Sequence, residues 1–118
     1  LSLYTIDRNR IVVHGQQAGG SMSYLVGFAH RDLIRGVAPL DASLPARAVI
    51  KSNDPAERLA FYTFDVKESK LAKASAVGVK RLTAAKYPVM TVQLNDKAGL
   101  SDSDRLQFLQ WIDSLDRI

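Results

Sequence analysis

Apolar residues fall into short β-branched runs separated by longer stretches with helical spacing. The short runs cover residues 10–15, 33–40, 58–64 and 88–94, and they predict four strands. Glycine ends the first run, Pro39 ends the second, and Pro88 opens the fourth, where a missing N–H is tolerated. Runs that are apolar throughout are typical of strands buried on both faces, which favours a mainly parallel sheet.

Three other stretches, residues 21–30, 68–86 and 101–118, have the spacing of helices. The residues predicted to face the sheet are Met22, Leu25, Val26 and Ala29 in the first helix, Leu71, Ala74, Val77 and Leu82 in the second, and Leu106, Phe108, Leu109, Trp111, Ile112 and Leu115 in the third. Ser101, followed three residues later by Asp104, predicts a capping box at the start of the last helix.

The elements follow one another as strand, helix, strand, strand, helix, strand, helix. Such alternation predicts an α/β fold with about four mainly parallel strands and three helices. The length of 118 residues favours a single domain over residues 1–118. Because the first residue is Leu1, in the middle of an element, we expect the chain to be a piece of a longer protein.

Composition excludes several classes of function. The chain is 47% apolar and 24% charged, as in globular proteins, and no apolar run approaches the roughly 18 residues that span a membrane. The net charge is +4, with basic residues densest over residues 67–86. We interpret that stretch as a solvated helix face, and a phosphate-binding patch for nucleic acid is the weaker alternative.

Metal and thiol chemistry are also disfavoured. The chain has no cysteine and only two histidines, His14 and His30, which lack the spacing of metal ligands. We therefore expect no metal and no cofactor. His14 lies in a strand and His30 at a helix end, and structural roles suffice for both.

The stretch from Tyr4 to Pro45, with "IDRNRI" before the strand and "GQQAGG" after it, resembles the nucleophile-elbow region of α/β-hydrolases. The similarity is to the polyhydroxybutyrate-depolymerase and feruloyl-esterase-like branch, and the rest of the chain matches the C-terminal end of that fold by element order. The resemblance implies a partial α/β-hydrolase fold. Gly15, Ala18, Gly19 and Gly20 would then give the elbow its room, with Gln17 at the position of the nucleophile.

The resemblance also implies that the catalytic triad is degenerate. A carboxamide at Gln17 has no proton that a base could remove to make an oxygen nucleophile. Leu100 stands where the family has its histidine, after Gly99. The acid position falls on Asp65 or Glu68, with Phe64 where a glycine is usual, and both acids are better explained as surface or helix-start carboxylates.

These residues predict a non-catalytic α/β-hydrolase-like module, with a role in assembly or in binding a ligand or peptide. The alternative is a serine-type esterase that recruits Ser21 or Ser23 with His14, or whose missing residues come from an upstream region or a partner. The strand from Arg10 to Gly15 would leave an open apolar edge, so we expect a homodimer or the upstream part of the parent chain to cover it. The resemblance slightly favours a secreted or cell-envelope location.

Overall fold

The computed structural model describes residues 2–5, 11–45, 50, 53, 58–66, 69–94 and 100–115. Within them the chain forms β1 (Ser2–Thr5), β2 (Ile11–Gln16), α1 (Ala18–Ala29), β3 (Gly36–Leu40), β4 (Ala60–Val66), α2 (Ala72–Ala84), β5 (Val89–Leu94) and α3 (Asp102–Asp113). No helix in these parts of the chain is long and apolar enough to span a membrane.

The sheet follows the order of the chain, β1-β2-β3-β4-β5. Strands β2 to β5 are parallel, as predicted, and α1 and α2 make the crossovers from β2 to β3 and from β4 to β5. Helices α1 and α2 pack on one face of the sheet, around Val37 and Phe61. Helix α3 packs on the other face, around Tyr62 and Phe64. The α/β class with four parallel strands and three helices is confirmed.

The N-terminal residues differ from the prediction. Tyr4 lies in β1, a fifth strand that was not among the four predicted, and β1 pairs antiparallel with β2 from Ser2 opposite His14 to Thr5 opposite Ile11. Strand β2 is therefore an interior strand of this sheet, and β1 occupies the edge that a second copy or the upstream part of the parent chain was expected to cover.

Pro39 was expected to end its strand, and this is wrong. It lies inside β3, fully buried and opposite Gly15 of β2. The β3–β4 pairs are Gly36 with Ala60, Val37 with Phe61 and Leu40 with Phe64, so the ladder skips Ala38 and Pro39. A proline lacks the N–H that this ladder needs, and the strand continues because its neighbours pair on either side.

The predicted contact faces of the helices need correction. Met22 and Leu25 on α1, Ala74 and Val77 on α2, and Leu106 and Leu109 on α3 are exposed. Small residues take the buried positions instead: Gly20, Ser23 and Gly27 beside Tyr24 on α1, and Ser75 and Gly78 beside Leu82 on α2. They allow close approach, since a Cβ on Gly27 would overlap Val37 Cγ2. Apolar spacing alone does not reveal a face built from glycine and serine.

Helix α3 begins as predicted. The Ser101 side chain accepts a hydrogen bond from the Asp104 N–H, and the Asp104 carboxylate accepts one from the Ser101 N–H, both at 3.1 Å. This confirms the capping box and fixes where α3 starts after β5. Phe108, Trp111 and Ile112 then face the core.

Candidate functional site

The chain turns from β2 into α1 at a single residue, Gln17. Its backbone angles are φ 54° and ψ −120°, a region that residues other than glycine rarely adopt. The Gln17 N–H donates to the Leu40 carbonyl at the end of β3 (2.9 Å), and the Gln17 carbonyl accepts from the N–H groups of Gly20 (2.9 Å) and Ser21 (3.1 Å). Hydrogen bonds to both neighbouring elements therefore hold this residue in its strained conformation.

Two of the four predicted small residues are required by space. A Cβ on Gly15 would overlap the carbonyl of Gly19 and lie 2.9 Å from the Gly20 nitrogen. A Cβ on Gly20 would overlap the Ala42 Cβ and lie 3.1 Å from the Gly15 oxygen. Ala18 is exposed and meets no such limit. The close approach of the first turn of α1 to the end of β2 makes the corner sharp.

The side chain at the corner is accessible. Gln16, Gln17 and Ala18 are all exposed, at the edge where the parallel strands end and the first backbone N–H groups of α1 begin. Unpaired N–H groups of a first helical turn bind anionic or carbonyl oxygens. A carboxamide both donates and accepts hydrogen bonds but supplies no nucleophile.

Leu100 lies in apolar surroundings. It is half-buried against the core on the α3 side and lines a cavity of about 190 Å³ with Arg105, Phe108 and Leu109. Its isobutyl side chain exchanges no proton, so the position where the family resemblance places a histidine contributes packing. The loop residues 95–99 before it lie outside the described parts of the chain.

Asp65, one of the two candidate acids, belongs to the layer between sheet and helices. It lies within β4, and its carboxylate accepts a hydrogen bond from the Ser75 hydroxyl of α2 at 2.6 Å. Partial burial raises the pKa of Asp65 above its usual value, and the hydrogen bond from Ser75 opposes that rise. This carboxylate thus ties α2 to the sheet and is neither a surface nor a helix-start residue. Glu68 lies outside the described residues.

Phe64 is the residue that the resemblance predicts at a family glycine position. Its ring is buried and packs edge-on against Phe108 of α3, with 5.4 Å between centroids. An aromatic side chain there excludes the tight turn and open space that a glycine would provide. The end of β4 is therefore part of the core.

Sequence reasoning missed a polar cluster at the ends of β3 and β4. Asp41 directly follows β3, is buried, has φ 48° and accepts a hydrogen bond from the Ser69 hydroxyl. The Tyr24 hydroxyl is buried without a hydrogen-bond partner, and burial together with the charge of Asp65 raises its pKa. A signal for Asp41 was present, since it is an acid at the carboxyl end of a buried parallel strand.

His14 has a structural environment. Its Nδ1 lies 2.6 Å from the Ala38 carbonyl, which can only accept, so Nδ1 carries the proton. The ring lies 6.0 Å from that of Phe64 and 5.7 Å from that of Phe108. Burial lowers the pKa of His14, which favours the neutral imidazole.

The two serines after the corner already donate within the fold. Ser21 donates to the Ser43 carbonyl at 2.9 Å, and Ser23, which is fully buried, donates to the Gly20 carbonyl. A nucleophilic serine needs its hydroxyl proton directed at a base. These bonds direct both protons at main-chain oxygens.

Comparison with solved structures identifies the architecture. The Bacillus cereus carboxylesterase superposes with a TM-score of 0.70 at 19% identity, over 92% of this chain and 51% of that one. A thermostable esterase superposes with a TM-score of 0.60 at 20% identity, over 96% of this chain and 30% of the esterase. The S-formylglutathione hydrolase of Staphylococcus aureus gives 0.57 at 14%, over 96% and 53%.

No protein-family model matches the sequence, and no curated protein matches it. The chain spans about half the length of the carboxylesterase and of the S-formylglutathione hydrolase, and less of the thermostable esterase. At these identities the likeness concerns the fold, and it agrees with the resemblance that the sequence shows. The described chain has a partial α/β-hydrolase fold.

Proposed function

We propose that the chain is a non-catalytic α/β-hydrolase-like module, a pseudo-hydrolase whose role is assembly or the binding of a ligand or peptide. The observation that carries the proposal is Gln17. It occupies the apex of a sharp strand-to-helix corner, held by three backbone hydrogen bonds, with an exposed carboxamide in place of a nucleophile.

The surroundings of the corner support the same conclusion. Acyl transfer by a serine hydrolase needs a base within hydrogen-bond reach of the nucleophile and an acid that orients the base. Leu100 is aliphatic and packs on the core, and Asp65 is engaged with Ser75 of α2. Leu100 therefore supplies no base, and the hydrogen bond from Ser75 directs the Asp65 carboxylate toward α2.

The alternative is an esterase whose missing residues come from an upstream region or a partner. The three structural neighbours support this alternative, because they are hydrolases with longer chains. The hydrogen bonds of Ser21 and Ser23 to main-chain carbonyls weigh against its internal form. Supplying a base from outside would still leave a carboxamide at the apex.

Hydrolysis of p-nitrophenyl acetate and p-nitrophenyl butyrate distinguishes the pseudo-hydrolase from the esterase. We expect the wild type to turn over neither ester faster than the Gln17→Ala variant, and a fluorophosphonate probe to leave both proteins unlabelled. The exposed side chain of Gln17 makes this substitution compatible with folding, and circular dichroism checks it. Saturable turnover, or probe labelling at Ser21 or Ser23, would establish the esterase instead.

Binding at the corner is tested separately. The Gln17 carboxamide and the first N–H groups of α1 are donors suited to a carboxylate or acyl oxygen. Titrating ¹⁵N-labelled protein with butyrate should shift the amide signals of Ala18 and Gly19, and Gln17→Ala should weaken the effect. Shifts scattered over distant residues, or none, would leave assembly as the proposed role.

A further inference from the structure

Helix α1 differs from the other two described helices because it has no charged residue. Its twelve residues are AGGSMSYLVGFA, whereas α2 carries Lys73, Lys80 and Arg81 and α3 carries acids and an arginine. A surface helix ordinarily places charged side chains on its outer face, and a helix that is apolar all round is buried on all sides. The outer face of α1 therefore has the composition of an interface.

The outer face is a regular stripe. Ala18, Met22, Leu25 and Ala29 are exposed, and their spacing of four, three and four residues places them on one line along the helix. Met22 is 49% exposed and Leu25 is 43% exposed. The buried residues Gly20, Ser23, Tyr24 and Gly27 lie on the opposite side, against the sheet. Helix α1 thus has two uncharged faces, and the sheet covers only the one built from small residues and Tyr24.

We propose that a second copy of this chain covers this stripe, with the two α1 helices antiparallel about a two-fold axis. The stripe is self-complementary in that orientation. A two-fold axis that crosses the stripe at the level of the helix midway between residues 23 and 24 places Met22 opposite Leu25 of the partner subunit. The same axis places Ala18 opposite Ala29 of the partner subunit. Large residues then meet at the centre and small residues at both ends, as an isologous contact requires.

Charge and spacing favour this occupant. The 4-3-4 spacing is that of the seam between two packed helices. Since α1 has no charge, a copy of itself brings no repulsion along the contact, and antiparallel helix dipoles attract. Strand β1 already occupies the edge of β2 where a dimer contact was expected, so the helix stripe provides a separate surface.

The size of the stripe predicts a weak dimer. Four residues on one helix bury on the order of a few hundred Å² per copy, below the roughly 800 Å² of a stable interface. We expect a dissociation constant of roughly 10 µM to 1 mM, so the dimer exchanges rapidly and depends on concentration.

Sedimentation velocity over about 10 µM to 1 mM protein tests the association. The wild type should shift from monomer toward dimer, and Met22→Lys and Leu25→Glu should each remain monomeric throughout. Val77→Lys, at a 59% exposed apolar position on α2, is the matched control and should associate like the wild type. A wild type that stays monomeric at the highest concentration, or equal loss in the control, would overturn the proposal.

Cysteine cross-linking tests the register, because the natural chain has no cysteine. A mixture of Ala18→Cys and Ala29→Cys proteins should form a disulfide-linked heterodimer under mild oxidation. Ala18→Cys alone should cross-link slowly. In the antiparallel arrangement the two copies of residue 18 lie eleven residues apart along the helix axis, a distance of roughly 16 Å that a disulfide cannot span. Faster linkage of Ala18→Cys to itself would show parallel packing and refute the arrangement. The molecular mass in solution tests the dimer, and the ester assay tests the proposed function. A negative result in one experiment therefore leaves the other conclusion standing.

Discussion

The sharpest test of the corner adds one methyl group at Gly15. Replacing Gly15 with alanine places a Cβ into the carbonyl of Gly19 and 2.9 Å from the nitrogen of Gly20. All of these neighbours are backbone atoms of the first turn of α1, so no side chain can rotate out of the way. To accept the methyl group, α1 must move away from the end of β2, which also strains the hydrogen bond from Gln17 to Leu40.

The expected cost follows from the kind of overlap. Extra methyl groups in well-packed interiors typically cost about 1–3 kcal/mol, and rigid backbone neighbours place this one at the upper end, about 3 kcal/mol. For a chain of 118 residues this corresponds to a melting temperature lower by roughly 12 °C. A cost of about 3 kcal/mol is a large fraction of the roughly 5–15 kcal/mol by which a folded domain is stabilised.

Differential scanning calorimetry and urea unfolding measure the effect, with Gly78→Ala as the matched control. A Cβ on Gly78 meets one close neighbour, the Leu44 Cβ at 2.9 Å, which a small displacement of Leu44 relieves, and alanine is favoured over glycine by about 1 kcal/mol inside a helix. The control should stay within about 1 kcal/mol of the wild type. If Gly15→Ala were as stable as Gly78→Ala, the corner would not be as close-packed as we infer.

Three further substitutions test the strain and the buried polar groups, each by thermal unfolding. Gln17→Gly should stabilise the protein by about 1 kcal/mol, because glycine adopts φ 54° without strain, and a loss would show that the side chain stabilises the corner. Tyr24→Phe should stabilise by about 1 kcal/mol by removing a buried hydroxyl without a partner while keeping the ring against Phe61, and destabilisation would reveal a hidden partner. Because the pKa of Asp65 is raised in the folded protein, its contribution to stability is lost as pH rises through the folded pKa. Asp65→Asn should therefore raise the melting temperature near pH 7 and lose that advantage below the unfolded value of 3.8, and a gain equal at both pH values would assign another cause.

The sequence predicted the parallel strands and the start of α3 because both depend on local signals. Apolar β-branched runs identify buried strands, and Ser101 with Asp104 forms a cap within four residues. The first residues of the chain carry no such signal. Strand β1 depends on pairing with β2, and Tyr4 in isolation suits either a strand or a connection.

The contact faces of the helices could not be predicted, because the rule applied to them assumes one apolar face. On α1 the larger apolar residues, Met22 and Leu25, face outward, while Gly20 and Gly27 allow the backbone to approach the sheet. The packing of glycine against Ala42 or Val37 becomes visible only in three dimensions. Likewise Asp65 could not be placed, since its partner Ser75 lies across a helix-to-sheet contact.

Packing accounts for the corner at Gln17 without any catalytic role. In this chain the crossover from β2 to β3 turns onto the sheet within one residue, and the absence of side chains at Gly15 and Gly20 makes that turn possible. The backbone of Gln17 then joins the end of β3 to the first turn of α1, which is a packing role. Its side chain is exposed, so packing does not constrain its chemical type. Packing can therefore hold this corner whatever side chain stands at its apex, and in the function that we propose the exposed carboxamide there binds a ligand through its hydrogen-bond donor and acceptor.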